Sequence, residues 1–275
     1  MRTRRLLAIV ATTLFLGGCF QSTALVTVNA DGSGTIEHRT SMTAAAAAQL
    51  RQFAGAFGQA GGKPIDPFSE EEARTFAAQM GEGVTLVSST PIKTAVAEGR
   101  VNVYQFRDIS TLRFSEMPKA PGNPDARVRA GGLSIGGSGD AVTFDLTRTP
   151  GANALLTMHM PGQAADAILK AGANDRGSPI QSDQIAMLGP VLAGMRVAVQ
   201  VEPSGRLVRT SSPYVDGQIV TLFDLDLDEM LKDETLLLRL QNARTAEDLS
   251  AVMKGAPGLR VNLEREVTIE FTPAR

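Results

Sequence analysis

The chain has 275 residues and a formal net charge of −2, and it contains two histidines, one cysteine, two tyrosines and no tryptophan. A mildly acidic chain without basic runs argues against nucleic-acid binding, and one cysteine with two histidines leaves little for a transition-metal site. The length suffices for one large domain or two smaller ones.

The N-terminus carries an export signal that ends at the only cysteine. Three arginines within the first five residues precede an apolar stretch over residues 6–16. This stretch is too short for a membrane-spanning helix, which needs about 20 apolar residues. The sequence that follows, Leu-Gly-Gly-Cys at residues 16–19, resembles the lipobox of bacterial lipoproteins. The resemblance implies cleavage between Gly18 and Cys19 and a diacylglyceryl thioether on Cys19.

Lipidation of Cys19 would decide where the chain resides. Two or three acyl chains hold a protein to a bilayer far more firmly than one, so we expect an extracytoplasmic protein of the cell envelope. Phe20 rather than aspartate follows the cysteine, which in a Gram-negative bacterium favours the periplasmic face of the outer membrane. We therefore divide the chain into a signal peptide (1–18), a lipidated tether (19–23) and a folded region (24–275). An ordinary secreted protein remains the alternative.

The first third predicts a hairpin and two helices. Strands are expected at residues 24–29 and 35–40, because Asn-Ala-Asp-Gly-Ser-Gly between them is typical of a tight turn. A helix is expected at about 43–57. A second helix begins after Ser69, which with Glu72 predicts a capping box, and ends at Gly81.

The middle and last thirds predict mostly strands. Strands at 84–90 and 93–97 flank Pro91, which suits a sheet edge, and a turn at Glu98-Gly99 leads into a strand at 101–106. Pairing of 126–135 with 141–148 is expected across a glycine-rich turn. Further strands are expected at 155–160, 195–201, 206–210, 219–224 and 267–271, and further helices at 163–170, 183–192, 227–241 and 246–254.

This order predicts an α+β fold with a mainly antiparallel sheet. Hairpins and helices are segregated along the chain rather than alternating singly, which argues against a parallel α/β architecture. The chain could divide into subdomains at one of two places, near 118–124 within a loop at 117–125 that holds three prolines, or near 175–179. The choice between one domain and two stays open.

No arrangement of residues predicts catalysis or metal binding. His38 is expected to be an ordinary polar residue of a strand, and His159, between two methionines, a partly buried or edge residue without an acid or nucleophile partner. Asp224, Asp226 and Asp228 could bind Ca²⁺ from one strand face. Helix capping and helix-dipole stabilisation explain these acids better. We expect no cofactor, no metal and no enzymatic activity.

The order of motifs resembles a family of bacterial lipoproteins. The lipobox is followed by Val-Thr-Val-Asn-Ala-Asp-Gly-Ser-Gly-Thr-Ile-Glu, by helices, and then by Gly-Val-Thr-Leu and Val-Asn-Val-Tyr-Gln-Phe-Arg-Asp. Over residues 19–114 this pattern is similar to the LppM-type lipoproteins, and the segment at 215–226 is similar to a related group. The resemblance implies a curved sheet with helices packed on one side, likened to lipid-binding folds, and implies no catalytic residue.

Two functions follow as expectations. The first is a non-enzymatic, membrane-anchored envelope lipoprotein that binds a lipid or another amphiphile. The second is a scaffold that binds other envelope proteins. The expected partners are the membrane, through the anchor, and a lipid or an envelope protein. An anchored hydrolase is the third and weakest hypothesis, because the sequence shows no nucleophile–base pair.

Overall fold

The computed structural model describes residues 20–48, 51, 66, 68–114, 129–130, 133–134, 141–148, 153–160, 194–233, 235–243 and 245–273. Gly18 and Cys19 lie outside these residues, as do the loop predicted at 117–125, the helices predicted at 163–170 and 183–192, and most of the helix predicted at 43–57. Within the described part of the chain, no helix is both long and apolar enough to cross a membrane.

Strands make up most of the described structure. In chain order they are β1 (Gln21–Val28), β2 (Gly34–Thr43), β3 (Thr85–Lys93), β4 (Ala97–Phe106), β5 (Arg113–Phe114), β6 (Arg129–Ala130), β7 (Leu133–Ser134), β8 (Val142–Arg148), β9 (Ala154–His159), β10 (Arg196–Pro203), β11 (Arg206–Thr210), β12 (Val215–Asp216), β13 (Ile219–Asp226), β14 (Leu259–Val261) and β15 (Glu266–Thr272). The helices are α1 (Glu70–Met80), α2 (Leu227–Leu231), α3 (Leu236–Asn242) and α4 (Ala246–Met253), and residues 44–48 are also helical.

These strands form two main sheets. The first sheet runs β12, β13, β10, β1, β2, β4, β3, and β14 pairs with β13 as well. The second sheet runs β11, β15, β9, β8, β5. Within the described ranges every pair is antiparallel except β1 with β10, which run parallel from Gln21 beside Arg196 to Val28 beside Pro203. The prediction of a mainly antiparallel sheet is therefore confirmed. The parallel pair of β1 and β10 was not predicted.

One core joins the two sheets. Strand side chains from both sheets bury together with residues from α1 and from the segment after β4, and the largest fully buried members include Tyr104, Phe106, Phe144, Phe271 and Ile36. The core extends from Ala24 to Phe271 and so joins residues near both ends of the described chain. The predicted one-sided packing of helices on a sheet is only partly confirmed, because a second sheet contributes much of this core.

A second core lies beneath the helices of the last third. The register between β10 and β13 shifts here, since Val199 pairs with Phe223 while Gln200 pairs with Thr221, which leaves Leu222 as an extra residue on β13. Leu222 faces the first core, whereas Phe223 packs in the second with apolar residues of α2, α3 and α4. A single strand thus serves two apolar layers.

The early hairpin and the edge position of Pro91 are confirmed, but the turn between β3 and β4 differs from the prediction. β3 continues through Pro91 at the sheet edge, where a missing backbone N–H is tolerated. The turn predicted at Glu98-Gly99 is wrong, because both residues lie within β4. Thr94 closes the turn instead, with its Oγ1 accepting from the Ala97 amide at 2.9 Å.

Two later predictions are also wrong. Among the described residues, β6 pairs with β7, and β8 pairs with β5 and β9, so the pairing predicted between 126–135 and 141–148 is not found there. The single helix predicted at 227–241 is two helices, α2 and α3. Asp233 divides them, because its Oδ1 accepts from the Thr235 amide at 3.0 Å and so competes with helical backbone bonding.

The predicted helix ends are largely confirmed. Ser69 caps α1 by accepting from the Glu72 amide at 3.1 Å, but the Ser69 amide donates to the carbonyl of Asp66 rather than to Glu72. Thr245 and Asp248 form a reciprocal capping box at the start of α4. α1 ends at Gly81, with φ 138°.

Candidate functional site

The first described strand begins two residues after the predicted lipidation site. β1 starts at Gln21, and each of its residues pairs with both β10 and β2. Residues 21–23 are therefore strand, and the tether predicted at 19–23 is too long. The carbonyl of Phe20 also accepts from the Arg196 amide at 2.9 Å, so the sheet holds the backbone up to the residue next to Cys19.

On the core-facing side of the first sheet, the side chains change from apolar to polar along β1 towards Gln21. Val26, Ile36 and Tyr104 lie in one row across β1, β2 and β4. The next row towards Gln21 holds Ala24, His38, Asn102 and Ser89, and the row after it holds Ser22, Thr40 and Arg100. We call Ser22, His38, Ser89, Arg100, Asn102 and Tyr104 the polar patch. It lies between the apolar core and the end of the sheet from which the chain emerges.

His38 is the buried centre of the polar patch. Its Nε2 lies 3.0 Å from Ser22 Oγ, and its ring packs against Phe76 of α1 with ring centroids 5.0 Å apart. Burial lowers the pKa of His38 from 6.5 to about 4, because an apolar surrounding disfavours the charged imidazolium. The ring is therefore neutral at physiological pH.

Tyr104 lies diagonally across from His38 and is fully buried. Its ring meets the edge of Phe76 at a centroid distance of 6.0 Å. Burial raises the pKa of Tyr104 to about 12, against a smaller opposing effect of the Asn102 side chain. Among the described residues, no group forms a hydrogen bond of ordinary geometry with the Tyr104 hydroxyl or with His38 Nδ1. Two buried polar atoms, one on each of the two rings that contact Phe76, are thus left without hydrogen-bond partners among the described residues.

The rest of the polar patch is bonded internally. Ser89 Oγ donates to Asn102 Oδ1 at 2.5 Å, and Arg100 Nη1 donates to Ser89 Oγ at 2.8 Å. Arg100 Nε also donates to the carbonyl of Phe68 at 2.6 Å, just before α1 begins. These bonds join the segment just before α1 to the strands of the polar patch. Arg100 therefore already donates to protein acceptors.

Ser22 Oγ and His38 Nε2 lie within hydrogen-bonding distance, a contact between a hydroxyl and an imidazole that the sequence did not predict. A serine is activated when a histidine accepts its proton while a third group orients the ring. His38 Nδ1 has no such partner in the described structure, and a pKa near 4 makes the ring a weak base. The pair is suited to a structural hydrogen bond rather than to acyl transfer.

His159 has acid partners that the sequence did not predict. On the second sheet its Nε2 lies 2.8 Å from Asp145 Oδ2 and its Nδ1 lies 3.4 Å from Glu266 Oε1. The side chain is 38% exposed, in keeping with the expected partly buried position. Since both ring nitrogens face carboxylates, neither faces a hydroxyl from which it could remove a proton.

The acidic cluster separates into three roles. Asp224 pairs with Arg196 through two bonds of 3.0 Å. Asp226 caps α2 by accepting from the Glu229 amide at 3.2 Å, and Asp228 accepts from the Gly194 amide at 2.6 Å. The interpretation as strand end and helix cap is confirmed. No group of three or more potential metal ligands occurs within the described ranges.

A signal for the polar patch was present in the sequence. Gly34, Ile36 and His38 share one parity along β2, so a strand that buries Ile36 also buries His38. Asn102, Tyr104 and Phe106 share one parity along β4 in the same way. Their convergence with Phe76 required knowledge of where α1 packs, which no local pattern indicates.

Comparisons with known proteins leave the family open. No protein-family model matches the chain, and no curated protein matches it. The chain is similar to a solved structure, the folded domain of LppM from Mycobacterium tuberculosis determined by NMR, with 13% sequence identity and a TM-score of 0.31. The similarity covers 78% of this chain and 86% of that domain. A TM-score this low does not establish a shared fold, so the resemblance stated from the sequence stays a prediction.

Proposed function

We propose that this chain is a lipid-anchored, non-enzymatic lipoprotein of the bacterial cell envelope that binds an uncharged amphiphile at the polar patch beneath α1. The observation that carries the binding proposal is a pair of buried atoms, His38 Nδ1 and Tyr104 Oη, that have no hydrogen-bond partner within the described part of the chain. A buried polar group without a hydrogen bond costs about 1–3 kcal/mol. A ligand that bonds to both atoms would recover that cost.

The chemistry of the polar patch favours a ligand with an uncharged head. His38 is neutral above a pKa of about 4, and Tyr104 is neutral below a pKa of about 12. Arg100 already donates to Phe68 and Ser89. No free charge is therefore offered to a phosphate or a carboxylate. A hydroxyl group, which both donates and accepts, satisfies an imidazole nitrogen and a phenol together.

The acyl part of the ligand would replace contacts that α1 now makes. Phe76 of α1 lies against both His38 and Tyr104, and Ala77 and Met80 are buried in the first core. A ligand reaches the polar patch when α1 moves outward. The acyl chain of the ligand then packs against the apolar side chains that Phe76 contacts in the unliganded protein. A monoacylglycerol has this combination of a hydroxylated head and one acyl chain.

The anchoring part of the proposal has its own experiment. Full-length protein is expressed in a Gram-negative host beside a Cys19→Ser variant. We expect the mature protein to begin at Cys19, to carry acyl chains detected by intact-mass spectrometry, and to sediment with membranes. The Cys19→Ser variant is expected to keep its signal peptide or to appear in the soluble fraction. Unmodified Cys19 with unchanged sedimentation of both proteins would contradict anchoring through this residue.

The binding part is tested with monoolein, and with oleate as the charged comparison. We expect monoolein to bind the Cys19→Ser protein with a measurable enthalpy in calorimetry and oleate to bind more weakly. Tyr104→Phe should reduce monoolein affinity about tenfold, the loss expected when a buried hydrogen bond is removed. Tyr214→Phe is the matched control, because Tyr214 is the other tyrosine of the chain. Equal affinity of all three proteins would contradict a site at Tyr104.

The scaffold function remains the second candidate, on one observation. β3 ends the first sheet and pairs with β4 along one side. Its other edge can accept a strand from a partner protein, which is a common mode of recognition. Val87 of β3 is 59% exposed. Crosslinking at Val87 that captures an envelope protein, with no monoolein binding, would favour the scaffold over the amphiphile carrier.

A further inference from the structure

The register of the first sheet places one hairpin turn at the end from which the chain leads to Cys19. Gln21 pairs with Ser41, and Ser41 pairs with Gly99. β2 and β4 then continue for two more pairs, to Thr43 beside Ala97. At about 3.3 Å per residue, the turn at 94–96 therefore projects about 7–10 Å past the level of Gln21.

The distance of Cys19 from the level of Gln21 is limited by the chain between them. Cys19 precedes Gln21 by two residues, and consecutive Cα atoms are about 3.8 Å apart. Phe20 is already bonded to Arg196 at the sheet end. Across the sheet, β1 and β4 are separated by β2, which amounts to about 10 Å at the usual strand spacing. A bilayer that holds acyl chains on Cys19 lies within reach of the turn.

The turn is apolar at its tip and ordered. Val96 is 75% exposed, and Ala95 beside it is exposed as well. Thr94 bonds across the turn, with its amide donating to the Ala97 carbonyl at 2.8 Å, and the Val96 carbonyl accepts from the Ala44 amide at 3.1 Å. The backbone is held on both sides of Val96, so the exposed valine is a fixed projection.

The charges around the turn suit the surface of a phospholipid bilayer. Lys93 is exposed at the end of β3. It lies opposite Glu98, whose carboxylate interacts with Lys93 and also forms an ion pair with Arg51. An apolar tip with a lysine beside it fits acyl chains and phosphate groups together. One valine adds little to the affinity that acyl chains provide, so the turn would set orientation rather than attachment.

We propose that the turn at 94–96 is the membrane-contacting edge of the folded region, with Val96 entering the interface of a phospholipid bilayer. This inference rests on the proposed lipid anchoring. In this orientation, the end of the first sheet that contains Gln21 faces the membrane. The opposite end, where β10 leads into β11, faces away from it.

Introduced tryptophans test this orientation, because the chain has none of its own. Val96→Trp and the control Val208→Trp are made in the full-length lipidated protein. Val208 is 43% exposed and lies in β11, near the end opposite to Gln21. Both proteins are reconstituted into phosphatidylethanolamine–phosphatidylglycerol vesicles with and without brominated acyl chains. Circular dichroism of the corresponding Cys19→Ser proteins verifies that each variant folds.

We expect the Val96→Trp emission to shift to the blue on vesicles and to lose intensity with brominated lipid, while the Val208→Trp emission changes in neither respect. Vesicle-bound protein without quenching at either position would overturn the inference and leave anchoring intact. A blue shift without quenching would indicate a protein contact and would overturn it as well. Protein that does not float with vesicles and carries no lipid on Cys19 would contradict the anchoring and the inference together.

Discussion

The rings of His38 and Phe76 lie with their centroids 5.0 Å apart and their planes tilted by 30°. The contact joins β2 to α1, the helix that covers it. It places a titratable ring against an apolar one in the interior. The stability of the protein with α1 packed on the first sheet therefore depends on the charge of His38.

His38 is expected to make the protein sensitive to mild acid. Its pKa is about 4 in the folded protein, against 6.5 as the ordinary value, so the unfolded chain binds more protons between these values. The free energy of unfolding is then highest above pH 6.5, falls as the pH drops towards 4, and has lost about 2 kcal/mol through this residue at pH 5. Tyr104, which faces the same ring system, stays neutral throughout this range.

Urea unfolding at pH 7 and pH 5 measures this effect. The loss of stability between the two pH values should be smaller by about 2 kcal/mol in His38→Gln than in the unaltered protein. His159→Gln removes the other histidine and should keep the full loss. The same pH dependence in the unaltered protein and in His38→Gln would show that other groups cause it.

Tyr104→Phe is expected to leave stability unchanged or to raise it by up to about 1 kcal/mol, because it removes a buried hydroxyl to which no described residue forms a hydrogen bond. Thermal and urea unfolding of the ligand-free protein measure the change. A loss of more than about 1 kcal/mol would mean that the hydroxyl forms a bond in the unliganded protein. The same substitution weakens amphiphile binding in the proposed function, so stability and affinity should change independently.

Local features of this fold are readable from the sequence. Ser69 and Thr245 cap their helices as predicted, because a cap depends on residues within one turn. The alternation of Val267, Ile269 and Phe271 predicts the inward face of β15 correctly. These patterns act over a few residues, and the physical rule is the same in any fold.

Long-range pairing is not readable in this way. β1 lies between β2 and β10, and its partner in β10 begins only at Arg196. No local pattern selects that strand over the other apolar strands, and a parallel partner joined by a long connection has no turn to identify it. The polar patch depends on this sheet and on where α1 packs, so His38 could be placed on a strand but not in a site.

Asp224 is expected to hold β10 to β13 at the end next to Phe20. Its two bonds to Arg196 also raise the pKa of the guanidinium. Asp224→Asn should lower the free energy of unfolding by about 2 kcal/mol, less than for a fully buried pair because the Arg196 side chain is 43% exposed. Urea unfolding gives the value.

The matched control for Asp224 is Glu229→Gln, which breaks the exposed pair between Glu229 and Lys232. Exposed pairs contribute little because water and salt screen them, so this variant should unfold at the same urea concentration as the unaltered protein. Equal losses in the two variants would indicate that burial of Asp224 does not strengthen its pair.

Gly81 is expected to be the most sensitive position at the end of α1. Its φ is 138°, and a Cβ atom there would lie 2.3 Å from the carbonyl oxygen of Thr111. Gly81→Ala therefore combines backbone strain with a collision against main chain, and should cost about 2 kcal/mol of stability. Because α1 covers His38, the substitution should also speed hydrogen exchange at the backbone amides of α1.

Gly83→Ala is the control without a collision. Gly83 has φ 79°, but nothing lies within 4 Å of a Cβ atom built there, so this variant carries backbone strain alone and should lose about 1 kcal/mol. The difference between the two variants combines the contact of the α1 terminus with Thr111 and the greater strain of the Gly81 conformation, φ 138° and ψ 170°. If Gly83→Ala destabilises the protein as much as Gly81→Ala does, the end of α1 is held by backbone conformation and not by that contact.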